Sequence, residues 1–387
     1  MKDKMSIVYI SVGMQKTGTT ALQSFMRENE KALEDQGCCY PLLKLGIASK
    51  YNDRNAHFLV YRASEIEDRQ ERNNEEYRVR TQAFAKLEDL AKIYPKIILS
   101  DELIWHRALN VKDFWKETVK DFKKIQCDVK VIVYLRRQDL FIQSLWNQSV
   151  KAMPRIEKSF EECIRKTKIK YYPLDFYENL CKIAEAVEKE NIIVRVYEKK
   201  QFEGEGHTIY SDFLNSMDIK MTDEFTKENV KPNDSMDGNF IELKRIMNQI
   251  PDYKLTNDFM RNPMCEASVF CKDADKLEKM SMFSYTQQLE YLKQFQESNE
   301  KVAKEFLNRA DGILFYDPVV EQKQWKLEPE KMYRDLLVLV CEEFCEQEKK
   351  ITELREEMQV LKEEVRKLKN SLFFRGYRRL RRLVIKD

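Results

Sequence analysis

The chain has 387 residues, 43% of them hydrophobic and 11% aromatic, which is enough apolar side chain to build a folded core and excludes a disordered chain. Its 68 Lys and Arg against 66 Asp and Glu leave a net charge of +2, so no overall attraction to nucleic acid or membrane is expected and any such preference must be local. Nine cysteines without CxxC pairs, and a start with no apolar leader, point to a reducing, cytoplasmic setting; no run approaches the roughly 18 apolar residues of a membrane span.

In chain order, the first apolar run is Ile7-Val8-Tyr9-Ile10-Ser11-Val12, which reads as a strand. It runs directly into Gly13-Met14-Gln15-Lys16-Thr17-Gly18-Thr19-Thr20 and then into helical spacing over 18–32. Strand, loop and helix in that order present backbone N–H groups, a positive helix end and an ammonium to one anion. A Walker A loop places its lysine after the second glycine. Lys16 comes before Gly18, so this is a phosphate loop of another kind.

Residues 41–76 read as irregular and charged, too long for a plain connection, and are expected to form a lid or substrate wall. Further strands are predicted at 97–100, 129–135 and 192–197, with helical spacing over 77–93, 112–125, 139–152 and 174–190. Short Ile- and Val-rich runs alternating with helices predict an α/β fold, a parallel sheet flanked by helices. A mixed region over 203–275 carries turn signals such as Lys231-Pro232-Asn233-Asp234, and helix returns over 285–309.

The end of the chain changes character. Leu337, Val340, Phe344, Gln347, Ile351, Leu354, Met358, Leu361, Val365, Leu368 and Leu372 alternate three and four apart, a heptad seam with Glu, Lys and Arg between its positions. A coiled-coil helix and a homo-oligomer built through it are expected. Residues 373–387 then combine cations with bulky apolar side chains, a composition suited to an anionic membrane surface, here the inner face, or to an acidic partner. The expected organisation is an α/β domain over 1–330, a coiled-coil helix over 331–372 and a basic amphipathic tail over 373–387.

A second anion element follows the third predicted strand, in Tyr134-Leu135-Arg136-Arg137-Gln138-Asp139. Arginine at a strand's carboxyl end lies where open α/β sheets bind ligands, and Ser144 sits about two turns into the next helix. Arg136 and Ser144 together suit a phosphate, through a charge-assisted fork and a hydroxyl. Taken alone, the same stretch also reads as a helix start with surface arginines.

With both elements on one sheet, a family resemblance emerges. Val12 to Thr20 with Leu22 resembles the 5′-phosphosulfate loop of sulfotransferases, and YLRRQDLFIQSLWNQ (134–148) resembles their 3′-phosphate element. The forms Gln-Lys-Thr-Gly-Thr-Thr and Arg-Arg-Gln-Asp are most similar to bacterial, carbohydrate-directed members, and Gln296 to Glu300 leading to Phe306-Leu307 is similar to their later helical region. The likeness spans about residues 6–315 and is specific at the two nucleotide elements.

The resemblance implies a P-loop-like sulfotransferase fold and transfer of sulfuryl from 3′-phosphoadenosine 5′-phosphosulfate (PAPS) to a hydroxyl of a carbohydrate or glycan, without a metal. It implies that Gln15, Lys16, Thr17, Gly18, Thr19 and Thr20 hold the phosphosulfate end, that Arg136 and Ser144 hold the 3′-phosphate, and that Lys16 counters charge on the bridging oxygen. The general base is then Glu102, just past the second predicted strand, or His57 in the expected lid, and the sequence leaves both open; His106 and His207 read as structural. Ser100 is a further candidate for orienting donor or acceptor. Tyr51, Phe58, Tyr61, Trp105, Trp146 and Tyr172 offer faces for sugar stacking, although such residues more often belong to a core. Two other classes fit parts of the pattern: a kinase-like P-loop enzyme using the same strand–loop–helix, and a non-catalytic scaffold organised by the coiled coil.

Overall fold

Five strands form one all-parallel sheet in the order β2-β3-β1-β4-β5. They are β1 Ser6–Ser11, β2 Cys38–Cys39, β3 Lys96–Ser100, β4 Cys127–Leu135 and β5 Ile192–Val196. The computed structural model describes residues 5–47, 54–151, 156–166, 172–226, 238–250, 281–370 and 375–377.

The strands are apolar on both faces, which is why they read as continuous runs rather than alternating ones. Tyr9, Ile98, Ile132 and Tyr134 share one face with Leu22, Phe25 and Met26 of the helix after β1 and with Phe213 and Leu214 of the Ile209–Asn215 helix. Their chain neighbours Val8, Ile10, Ile97, Leu99, Val131 and Val133 point to the other face and are equally buried. There the Phe114–Lys124 and Phe176–Val187 helices pack against β4. Each fully buried Val, Ile or Leu contributes about 1.5–3 kcal/mol. The predicted α/β class, a parallel sheet flanked by helices, holds.

Differences from the expected elements have local causes. β2 pairs only Cys38 with Lys96 and Cys39 with Ile97, too few residues to leave a periodic signal. The predicted 18–32 helix ends at Glu28, and a separate turn follows over Glu30–Glu34. Asn29 makes the break: its side chain donates to Phe25 O at 2.8 Å and accepts from Thr226 N at 2.7 Å.

Residues 69–76 are not irregular. Helix runs Arg69–Ala91, with Asp68 accepting from Glu71 N at 2.8 Å as its N-cap. Only Val79, Ala83 and Leu87 of that helix are buried, a stripe too narrow to mark its first two turns. The predicted 285–309 helix is two, Tyr285–Lys293 and Gln296–Phe306.

By contacts the chain divides into two units, Met1–Asn233 with Lys279–Trp325, and Asp234–Glu278 with Lys326–Asp387. The first holds the sheet. In the second, a 42-residue helix runs Pro329–Asn370 and packs against the Gly238–Met247 helix, with Asn239 donating to Asp335 at 2.7 Å. Further along it, the heptad positions Phe344, Leu354, Leu361 and Leu368 stand exposed on the single chain. Apart from residues 375–377, the basic tail lies outside the described residues. Among the described residues no helix is long and apolar enough to cross a membrane.

Candidate functional site at the carboxyl edge of the sheet

In the order β2-β3-β1-β4-β5 the chain departs from β1 in opposite directions, toward β3 on one side and β4 on the other. A crevice opens at such a switch point, beyond the carboxyl ends of the strands. Ser11 of β1 is level with Ser100 of β3 and Ile132 of β4, so the loop after β1 and the segment after β3 emerge side by side. The hydrogen bond from Asp101 N to Ser11 O, 3.1 Å, locks that edge.

The loop after β1 is held by its backbone. Lys16 has φ 67° and Gly18 φ 77°, two left-handed residues separated by Thr17, which curls the chain around its own N–H groups. Glycine fits Gly18 for a second reason: a Cβ there would stand 2.8 Å from Ile209 Cδ1. Thr17 turns inward and donates to Met14 O at 2.6 Å, so its hydroxyl belongs to the loop's own scaffold. The Thr19–Glu28 helix begins with no side-chain cap, which leaves its first N–H groups facing the loop mouth. Thr20 is exposed and Gln15 half-buried.

Arg136, one residue past β4, donates from Nη1 to Lys16 O at 2.7 Å, and its guanidinium lies 5.9 Å from the centre of the Tyr197 ring. Burial lowers its pKa from the usual arginine value, while Tyr197 and Asp139 act to raise it. The next turn is fixed from behind. Arg137 donates to both oxygens of the buried Asp139, at 2.8 and 3.1 Å, and Gln138 exchanges hydrogen bonds with Asn299 of the Gln296–Phe306 helix at 2.7 and 3.2 Å. That interlock gives the late helix near 299 a physical reason to belong with the 134–148 element. Ser144 sits half-buried on the Gln138–Lys151 helix that follows.

Across the loop, Glu102 is the meeting point. One of its oxygens accepts from the Thr19 hydroxyl; the other accepts from Arg54 Nη2 at 2.9 Å. Arg54 reaches it because the 54–60 segment covers the β3 edge that the short β2 leaves open. Asn55 takes Ser100 N at 2.7 Å and gives its Nδ2 to Ile98 O at 3.0 Å, as a strand would, and Ala56 N donates to Ser100 O at 3.3 Å.

His57 follows and is 2% exposed, with Nδ1 2.6 Å from Asp101 Oδ2; the other Asp101 oxygen accepts from Leu103 N at 2.8 Å. Thus His57 and Glu102 sit on adjacent turns but in different surroundings. Glu102 touches the loop, and His57 is sealed against Asp101. Ser100 is buried and accepts from Gln23 at 3.2 Å, a packing contact inside the sheet edge.

Lys16, Thr19, Glu102 and Arg136 are therefore brought together, and Gln15, Thr17 and Gly18 build the loop between them. Arg54 and Asp101 are the residues that sequence reasoning passed over. The signal was available, since Arg54 lies three positions before His57 and Asp101 immediately before Glu102. Of the expected sugar-stacking aromatics, Phe58, Trp105 and Trp146 are core residues. Tyr51 lies outside the described residues. His106 stacks on Tyr172 at 5.2 Å, its pKa lowered by burial and by Arg107, and His207 bonds Phe202 O at 2.8 Å, both as structural side chains.

No protein-family model and no solved structure matches this chain. An uncharacterized protein of Archaeoglobus fulgidus is 29% identical over 219 residues, 55% of this chain. The chain spans about half of that relative's length, 55%. The relative carries no named activity, so the functional reading rests on the site itself.

Proposed function

We propose that the protein is a PAPS-dependent sulfotransferase acting on a hydroxyl of a carbohydrate or glycan. The observation that carries this reading is the contact of Glu102 with Thr19. It sets a carboxylate against the hydroxyl of an anion-binding loop whose far side is tied to Arg136.

The residues fit the donor. The uncapped helix start and the left-handed turns at Lys16 and Gly18 suit its phosphosulfate end, and Arg136 with Ser144 suits its 3′-phosphate. The donor supplies an activated sulfuryl group, whose bond to the bridging oxygen breaks as the acceptor oxygen bonds to sulfur. Glu102 takes the acceptor's proton. Lys16 offsets the negative charge that collects on the departing oxygen. Arg54 orients the Glu102 carboxylate, and the His57–Asp101 pair ties the 54–60 segment that carries Arg54 to the segment after β3 that carries Glu102. Positioning and charge stabilisation carry most of such a displacement.

The exposed seam of the Pro329–Asn370 helix fits a coiled coil with a second copy of the chain. Its basic continuation fits an anionic membrane surface.

A kinase-like reading draws on the same Thr19–Glu102 pair, because a hydroxyl and a carboxylate at this edge also suit a nucleotide-bound Mg²⁺. Asp101, the other strand-end carboxylate, is fully buried and held by His57 and by Leu103 N, whereas the Glu102 side chain keeps 12% of its surface exposed, which weakens that reading.

The test is transfer of labelled sulfuryl from PAPS to a mixed glycan pool by the wild type and by Glu102→Gln. The variant is expected to lose roughly 10²–10⁴-fold in rate while keeping its affinity for 3′-phosphoadenosine 5′-phosphate (PAP). Wild-type transfer by the variant would remove Glu102 from the mechanism. Turnover of ATP with Mg²⁺ and no sulfuryl transfer would replace the reading with the kinase-like one.

A further inference from the structure

Tyr172 carries a buried hydroxyl that donates to no acceptor among the described residues; the backbone N–H of Gln15 lies toward its oxygen. Buried phenols usually donate to a partner, and an O–H without an acceptor calls for an explanation. The ring is held from both sides of the site. Phe141, on the helix after Arg136, lies 4.7 Å from it, and His106, on the turn after Glu102, stacks on it at 5.2 Å with an interplanar angle of 14°.

The backbone beside Tyr172 is pinned in the same way. Trp105 Nε1 donates to Pro173 O at 3.3 Å, and Gln138 Nε2 lies 3.5 Å from Leu174 O. Tyr172 thus bridges the segment after β3 and the segment after β4, the two walls that flank the loop. Its phenol pKa is raised by burial and then by the charge of Glu102, while the Gln15 backbone N–H acts in the opposite direction. Both named neighbours belong to the site. A phenol that faces a carboxylate in a buried setting keeps its proton, so it can donate a hydrogen bond and cannot serve as a base.

We propose that Tyr172 is a ligand-binding residue of this site, its hydroxyl donating to an oxyanion oxygen of the group seated on the Gly13–Thr20 loop. The ligand class is a phosphate or sulfate ester. The loop itself suits the same group: the helix that follows it starts at Thr19 with no side-chain cap, so its first N–H groups are donors for an acceptor-only ligand. In the sulfotransferase reading, on which the identity of the ligand rests, that group is the phosphosulfate end of PAPS. The hydroxyl then joins the donors that hold it, alongside a ring already fixed by its neighbours, so little side-chain freedom is lost on binding.

The experiment compares wild type with Tyr172→Phe, which removes the oxygen and keeps the ring. Calorimetric titration with PAP and, separately, with inorganic pyrophosphate reads the binding. Thermal melts without ligand read the fold. The variant is expected to bind PAP roughly tenfold or more weakly, while its ligand-free melting temperature is unchanged or higher, because an unpartnered buried hydroxyl has been removed. Equal affinity of the two proteins for both probes overturns the assignment. If wild type binds PAP no better than adenosine 5′-phosphate, yet pyrophosphate binding still weakens in Tyr172→Phe, the Tyr172 assignment stands and the sulfotransferase reading falls. If neither probe binds the wild type, both fall.

Discussion

Arg136 Nη1 donates to the backbone carbonyl of Lys16 at 2.7 Å, so the first residue beyond β4 fixes a left-handed residue in the loop beyond β1. One guanidinium thereby ties the loop after β1 to the turn after β4. The two side chains should separate in their effects. Arg136→Ala removes a half-buried charged donor and is expected to weaken PAP binding by roughly 10–100-fold. Lys16→Ala keeps a Cβ at the same φ, leaves the loop path alone, and is expected to lower the transfer rate by about 10–10³-fold with PAP affinity within about threefold. Calorimetry and single-turnover kinetics check this. Small, equal effects from both substitutions would break the assignment.

Gly18 carries a prediction about stability. At φ 77° with Ile209 Cδ1 2.8 Å from the site of a Cβ, Gly18→Ala meets both backbone strain and a close contact. The backbone part alone costs about 1–2 kcal/mol, and the Ile209 terminus has to move. A lower urea midpoint with an unchanged m-value, together with weakened PAP binding, is the expected result.

The sequence left both Glu102 and His57 open as the base, Glu102 first, and the environments of the two side chains divide them. Replacing His57 by Leu leaves Asp101 buried at 0% exposure without its ring partner. Loss of stability of about 3 kcal/mol by urea unfolding is expected, with transfer by the folded protein retained in large part. A stable His57→Leu protein that has lost transfer would give the base role to His57.

The thiols supply the pH-dependent prediction. Burial pushes Cys38 up from 9.0 to about 12 and Cys127 from 9.0 to about 11, and raises Cys39 further, with Cys38 and nearby acids adding to it. Raised thiol values favour the folded state while the thiols stay protonated. That contribution is complete below the unfolded value and is lost as pH climbs through the folded ones, so stability should decline above about pH 9. At pH 8, alkylation mapped by mass spectrometry should label the exposed Cys341 and Cys345 first and reach Cys38, Cys39 and Cys127 only on denaturation.

How much of this was legible in the chain varies by element. The four longer strands were plain because buried parallel strands write themselves as unbroken Ile and Val runs. The places of the loop after β1 and of Arg136 after β4 were legible because residue type at close spacing marks a strand end. β2 was not, being two residues long, and the start of the Arg69–Ala91 helix was hidden by a face that is nearly all polar. Arg54 and Asp101 stood in the chain beside the two candidate bases, but their pairings with Glu102 and His57 depend on Asn55 completing the β3 edge, a contact across 45 residues. Tyr172 was visible only as one aromatic among many, and its orphaned hydroxyl exists only in three dimensions.

The measurement that tests the central claim most directly is the affinity of the 387-residue chain for PAP against adenosine 5′-phosphate, by titration calorimetry under identical conditions. The two ligands differ by the 3′-phosphate, the group assigned to Arg136 and Ser144. The account predicts that PAP binds at least about tenfold more tightly, as a charge-assisted contact to a half-buried arginine requires, and that Arg136→Ala abolishes the difference. Equal affinity of the wild type for both ligands would contradict it.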